Sequence, residues 1–226
     1  MATHAVKSGL EHIIASPHVM EGVCGHTPDA IEAAVDSLNQ RLLQEGIPLT
    51  IWPGAEIYIH PDLARWYREG RLPTLAGRNT HVLIELPHAS LPLYTEQVLF
   101  DLMVEGLRPV IAHPERQKDL AQDLPRLTDW VERGVWLQVN APSLRGRYGR
   151  TARRTALRLV EQQLVHCLGS DSHSMRHPPT LLDAKQEICH HRNGKSFLSQ
   201  LQTNAQAILG ETDPRSIGGY GGINGG

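Results

Sequence analysis

The chain has 226 residues, enough for one α/β domain with a sizeable core. Its 22 Lys+Arg against 24 Asp+Glu leave the charge nearly balanced, which gives no support to a nucleic-acid partner. No apolar run approaches the roughly 18 residues needed to cross a bilayer, so direct membrane insertion is not expected. The three cysteines, Cys24, Cys167 and Cys189, lie far apart and form no Cys-x-x-Cys pair. Together with an N-terminus that lacks a basic stretch followed by an apolar one, they fit a reducing, cytoplasmic setting.

Residues 1–9 read as the last turns of a crossover helix, with no strand before it to cross over from. The apolar run Ile13-Ile14-Ala15 then leads to Ser16-Pro17-His18. A helix follows, with Thr27 as N-cap, Pro28 at the first helical position, an apolar stripe of Ile31, Val35, Leu38 and Leu42, and Gly46 just past its end. Next come Leu49-Thr50-Ile51-Trp52 leading to Gly54-Ala55-Glu56, a helical segment over 61–70, and Val82-Leu83-Ile84 leading to Glu85. A helix over 92–106 precedes Val110-Ile111-Ala112, which runs into His113-Pro114-Glu115-Arg116. A helix over 125–134 precedes Trp136-Leu137-Gln138-Val139, which ends on Asn140. A helix over 150–163 precedes the last strand, Val165-His166-Cys167-Leu168, which leads to Gly169-Ser170-Asp171-Ser172-His173 and a helix over 180–191. This alternation predicts a parallel sheet with right-handed crossovers, its continuous apolar strands covered on both faces. Residues 1–210 are expected to form one domain and the glycine-rich residues 211–226 a disordered tail.

Parallel strands present all their C-terminal ends to one side, so six polar strand ends predict a convergent pocket. Glu56, Glu85 and Asp171 offer carboxylates there, and His18, His113 and His173 offer imidazoles. Such mixed nitrogen and oxygen sets suit Mn, Fe or Zn, and two divalent ions sharing a carboxylate suit in-line displacement at phosphorus. Arg116, three residues past His113, and Arg176, three past His173, lie on the same rim, where a guanidinium fork grips phosphate oxygens. His81, His88 and His166 are read as surface or core histidines, and Asn140 as a residue that satisfies loop backbone. The arginine-rich run over 145–154 reads as a solvated loop and helix start, or as charge that attracts an anionic substrate. A cysteine phosphatase loop needs an arginine six residues after its cysteine, but those positions hold Ala30, His173 and Lys195. A Gly-x-Ser-x-Gly elbow and a Gly-rich Lys-Ser/Thr loop are absent too.

The ordered set Ser16-Pro17-His18, Gly54-Ala55-Glu56-Ile57, Leu83-Ile84-Glu85, Ile111 to Arg116, Gln138-Val139-Asn140 and Ser170 to His173 resembles the bacterial PHP-class (polymerase and histidinol phosphatase) protein tyrosine phosphatases of capsule and exopolysaccharide operons. The resemblance implies a distorted (β/α)7, TIM-like barrel, up to three metal ions, often manganese, and hydrolysis of phosphotyrosine on a partner tyrosine autokinase. It also implies that His18, Glu56, Glu85, His113, Asp171 and His173 are metal ligands, with Glu85 a bridge, and that Arg116 and Arg176 hold the phosphate. Members of that family open with a strand carrying Asp-x-His-x-His, which this sequence does not contain. The expectation is therefore a barrel lacking its first strand, either through a misassigned start or a fragmented frame or because the protein is a truncated homologue with weakened metal binding and activity. Two rival readings are a small-molecule phosphoesterase of the histidinol phosphatase kind and an inactive remnant that binds the phosphorylated kinase.

Overall fold

The computed structural model describes residues 1–23 and 25–210. Among them eight short strands alternate with helices. The strands are β1 (His12–Ile14), β2 (His18–Val19), β3 (Thr50–Trp52), β4 (Glu56–Tyr58), β5 (His81–Glu85), β6 (Arg108–Ala112), β7 (Trp136–Asn140) and β8 (Cys167–Gly169). The helices are α1 (Ala2–Lys7), α2 (Pro28–Gln44), α3 (Leu63–Arg68), α4 (Thr95–Val104), α5 (Leu124–Glu132), α6 (Ala141–Leu144), α7 (Gly149–Glu161), α8 (Leu182–Cys189) and α9 (Gly194–Leu209). Every strand pairing is parallel, in a six-stranded sheet ordered β2-β4-β5-β6-β7-β8 and a separate pair β1-β3. The result is a curled half-barrel with all strand ends on one side.

The strand period of two divides the sheet's side chains between two cores. Ile57, Val82, Ile84, Ile111, Leu137 and Val139 face outward and join the large cluster built with the surrounding helices. Leu83, Val110, Ala112 and Trp136 face inward, into a smaller cluster floored by Ala207, Ile208 and Leu209 at the end of α9. On that inner face the apolar residues give way to Glu56, Glu85, Gln138 and Asn140 toward the C-terminal edge, so the alternation that builds the inner core also aims polar groups into its mouth.

The expected helix after Thr27 is present: the Thr27 hydroxyl accepts a hydrogen bond from the Ala30 amide, Pro28 opens α2, and Gly46 takes the left-handed φ of +64° that favours glycine. Its apolar stripe is narrower than expected, because Ile31, Val35 and Leu42 are buried whereas Leu38 is 43% exposed. The Asn39 amide instead joins α2 to the sheet, bonding both the N–H and the C=O of Ile51 on the strand pair's outer edge.

The first two predicted strands are each broken in two. Chain kinks around Pro17 and Pro53 separate β1 from β2 and β3 from β4, since proline supplies no ladder N–H. His18 and Glu56 therefore open second short strands, where the sequence suggested that they follow single ones. A Cβ on Gly54 would stand 2.6 Å from Ile14 Cγ2, so glycine lets the two kinks nest. The sequence reading also passed over α6 and the sixteen-residue α9, which begins at a left-handed Asn193 and carries Phe197, Leu201 and Ile208 into the cores. The tail residues 211–226 lie outside the described residues.

Candidate metal centre at the mouth of the sheet

The six expected ligand residues lie along the C-terminal edge in two groups, one around Glu56 and Glu85 and one around Asp171, joined by the stacking of His18 on His173. Donor atoms of His18, Glu56 and Glu85 lie within 4.8 Å of one another. His113 Nε2 is 2.8 Å from Glu56 Oε1 and 3.9 Å from Glu85 Oε1, while His18 Nδ1 is 3.3 Å from Glu85 Oε2. The His18 ring stacks on His173 with centroids 6.0 Å apart, and His173 Nδ1 is 3.5 Å from Asp171 Oδ1. Two carboxylates and one imidazole with donor atoms as close as those of Glu56, Glu85 and His18 suit a shared cation, because each carboxylate brought near another costs free energy unless positive charge offsets it.

Backbone geometry contributes to this convergence. His113 and Asp171, each just past a strand end, have φ of +34° and +49°, a left-handed conformation uncommon for residues with a Cβ. Strand alternation alone would send His113 to the opposite face from Ala112; the left-handed turn brings it back to Glu56. Burial disfavours a charged His113, but the hydrogen bond and negative charge of Glu56 outweigh that and leave its pKa raised.

Asp171 is the hub of the other half. Its Oδ2 accepts hydrogen bonds from Arg116 Nη1 at 2.9 Å, Asn140 Nδ2 at 2.9 Å and Tyr148 OH at 2.7 Å, which leaves Oδ1 facing His173. The Arg116 guanidinium carbon lies 4.3 Å from the Tyr148 ring centroid, so arginine, tyrosine and aspartate form one stacked and hydrogen-bonded unit. Burial, and then the bond to Asp171, push the Tyr148 phenol up to about 12, so it stays a donor at neutral pH. Behind this unit the buried Glu115 accepts from Ser143 Oγ at 2.6 Å and from the Asn140 N–H at 3.1 Å, pinning the start of α6. Its burial raises its pKa.

The other sequence-selected residues fall outside this cluster or join it unexpectedly. Arg176 is exposed and makes no ion pair or side-chain hydrogen bond among the described residues. His81 and His166 pack around Trp136 at the N-terminal edge of the sheet, as the core reading expected. His88 lies closer to the centre than its exclusion suggested, its ring 5.6 Å from that of His113; burial first, then Arg116 and His113, lower its pKa. Asn140, which the sequence suggested only satisfies loop backbone, instead donates its side-chain amide to Asp171, and Tyr148, not singled out in the sequence, is a second Asp171 partner. Asn140 sits at the end of a strand like the chosen ligands, a signal that was available; Tyr148 comes from a loop, where no periodicity marks direction.

Comparison with known proteins places the chain among named relatives. Residues 1–210 match the family model described as capsular polysaccharide synthesis, CpsB/CapC. Tyrosine-protein phosphatase YwqE of Bacillus subtilis (strain 168) is 39% identical over 209 residues, covering 92% of this chain and 82% of the relative. Putative tyrosine-protein phosphatase CapC of Staphylococcus aureus is 26% identical over 208 residues, covering 91% of this chain and 80% of the relative. A chain from the crystal structures of YwqE from Bacillus subtilis and CpsB from Streptococcus pneumoniae, described there as unique metal-dependent tyrosine phosphatases, superimposes with a TM-score of 0.87 at 35% identity, covering 94% of this chain and 86% of that one. By its matched span and these similarities, the chain belongs to the CpsB/CapC family of capsular polysaccharide synthesis proteins.

Proposed function

We propose that this protein is a metal-dependent protein tyrosine phosphatase that removes phosphate from a bacterial tyrosine kinase of capsule or exopolysaccharide synthesis, in the cytoplasm. The observation that carries this reading is the closeness of His18, Glu56 and Glu85 donors, within 4.8 Å, with His113 on Glu56 and Arg116 beside them. In this reading residues 1–210 are one PHP-type (β/α)7 barrel domain, and His18, Glu56, Glu85, His113, Asp171 and His173 hold divalent cations, manganese first and iron or zinc next. Once bound, such cations supply positive charge against the phosphate and lower the pKa of water at the site.

The chain's own groups then have distinct roles. Arg116, fixed by Asp171 and by the Tyr148 ring, keeps its remaining N–H groups for the phosphate oxygens and stabilises charge that grows during displacement. Arg176, on the exposed loop past His173, supplies a second grip when substrate arrives. Three hydrogen bonds to one Asp171 oxygen orient the other toward the cation set. His18 and His173, with side chains 46% and 69% exposed, form the open rim by which a phosphotyrosyl side chain enters. Its phenol leaves with a pKa near 10, so little protonation of the leaving group is required.

Hydrolysis of p-nitrophenyl phosphate should require added Mn²⁺ and stop on chelation; turnover that survives chelation rejects the reading. Glu85→Gln should lower both bound metal and kcat/KM by more than about 100-fold. A phosphotyrosyl peptide should be a better substrate than histidinol phosphate.

A further inference from the structure

Six arginines fall within residues 145–158, a stretch with no Asp or Glu, in a chain whose overall charge is slightly negative. Arg145 and Arg153 flank Glu187 at 3.6 and 3.7 Å. Arg147, Arg150, Arg154 and Arg158 are exposed and have no carboxylate partner among the described residues. Arg150, Arg154 and Arg158 follow one another at four-residue intervals on α7, so they stand on one face and repel one another. Arg150 is also in the first turn, where the helix dipole disfavours a cation, and that turn holds no acid. A stability-driven surface would disperse these charges.

The stretch starts at the rim of the proposed active site. Arg147 lies 5.8 Å from the Tyr148 ring centroid, the same ring stacks under Arg116, and its hydroxyl bonds Asp171. The N-terminal end of α7 thus borders the mouth, and the strip leads away from it along the helix. Tyr148 is the one aromatic residue in the stretch, so there is no row of rings on which bases could stack, and no exposed large apolar side chain to enter a lipid surface.

We propose that the α7 arginine strip is a docking surface for acidic residues that flank the phosphotyrosine in the substrate protein, an assignment that rests on the phosphatase reading. Long-range attraction to the strip raises the local concentration of an acidic segment, and the short path through Arg147 and Tyr148 delivers its phosphotyrosine to Arg116.

The test uses fluorescently labelled peptides bearing a non-hydrolysable phosphotyrosine mimic, phosphonomethylphenylalanine, flanked on both sides by Glu or by Ser, with the Mn²⁺-loaded protein. At low salt the Glu-flanked peptide should bind roughly tenfold more tightly by fluorescence anisotropy, and the advantage should fade as KCl is raised. The triple variant Arg150→Glu, Arg154→Glu, Arg158→Glu should lose that preference while hydrolysing p-nitrophenyl phosphate at an unchanged rate. Equal binding of the two peptides, or a preference that survives the triple reversal, overturns the docking surface. Tighter association of the strip with phosphatidylserine vesicles or an oligonucleotide than with the Glu-flanked peptide at equal salt overturns it as well. Absence of Mn²⁺-dependent p-nitrophenyl phosphate turnover in the unaltered protein would instead defeat the phosphatase reading, and the anisotropy result separates the two.

Discussion

The two edges of the sheet hold histidines in opposite circumstances. At the C-terminal mouth His113 and His18 face Glu56 and Glu85, and the pKa of His113 is raised. At the N-terminal base His81 and His166 pack against the ring of Trp136, whose centroid also lies 5.0 Å from the Arg108 guanidinium, and among the described residues no carboxylate is paired with either. Burial holds both of those imidazoles neutral, with pKa values lowered to about 4. The same side chain on the same sheet is thus a candidate ligand or a core ring according to the charge within its reach. The base trades chemistry for stability, and the mouth does the reverse, gathering carboxylates whose mutual repulsion a bound cation would offset.

The contrast is broken most severely at Trp136. Trp136→Ala removes the ring that joins both base histidines to the inner core and should cost roughly 3–5 kcal/mol, read as a lower urea midpoint, with the mouth residues untouched. Arg116→Ala should do the converse: kcat on p-nitrophenyl phosphate falls by roughly 10²–10³, and the urea midpoint scarcely moves. A large stability loss there would mean that the Arg116 and Tyr148 unit is part of the scaffold and not of the site.

Acid sharpens the comparison at the base. The unfolded chain titrates its histidines near 6.5, whereas folded His81 resists protonation until about pH 4. Between those values only the unfolded state takes up the proton, so stability falls as pH drops from about 6.5 to 4 and this contribution levels off below it, by up to roughly 3 kcal/mol. His166 acts in the same direction. His81→Phe should flatten that part of a stability-against-pH curve, and an unchanged curve would show that the base histidines ionise freely. The smallest effect is expected at Tyr148→Phe, which keeps the ring under Arg116 but removes the hydrogen bond to Asp171; kcat/KM should drop about tenfold, with metal content nearly intact.

Much of this division was legible in the sequence because strand and helix periods are local signals. Val82 to Ile84 and Val110 to Ala112 announce buried strands, and the polar residue that ends each one marks the mouth. The Thr27, Pro28 and Gly46 signals fix α2 because each satisfies a specific end requirement of a helix. What stayed hidden depends on the third dimension. Nothing local shows that Pro17 and Pro53 break their strands in register, that His113 and Asp171 adopt positive φ, or that Tyr148 turns in from a loop to Asp171. Leu38 fits the helical stripe in sequence, yet it stays exposed. Helix α9 escaped because it begins at Asn193 and Gly194, residues that read as a turn, while its tight seat against the Ile188 carbonyl excludes any Cβ at Gly194.

That last helix has a consequence for biosynthesis. The floor of the inner cluster is laid by Ala207, Ile208 and Leu209, far along the chain from the Leu83, Val110 and Trp136 that it covers. A ribosome releasing this polypeptide has delivered every strand before the floor exists, so the emerging sheet exposes an apolar concavity until residues 207–209 have left the exit tunnel. Chaperone dependence of the nascent chain should accordingly ease only once α9 has cleared the exit tunnel.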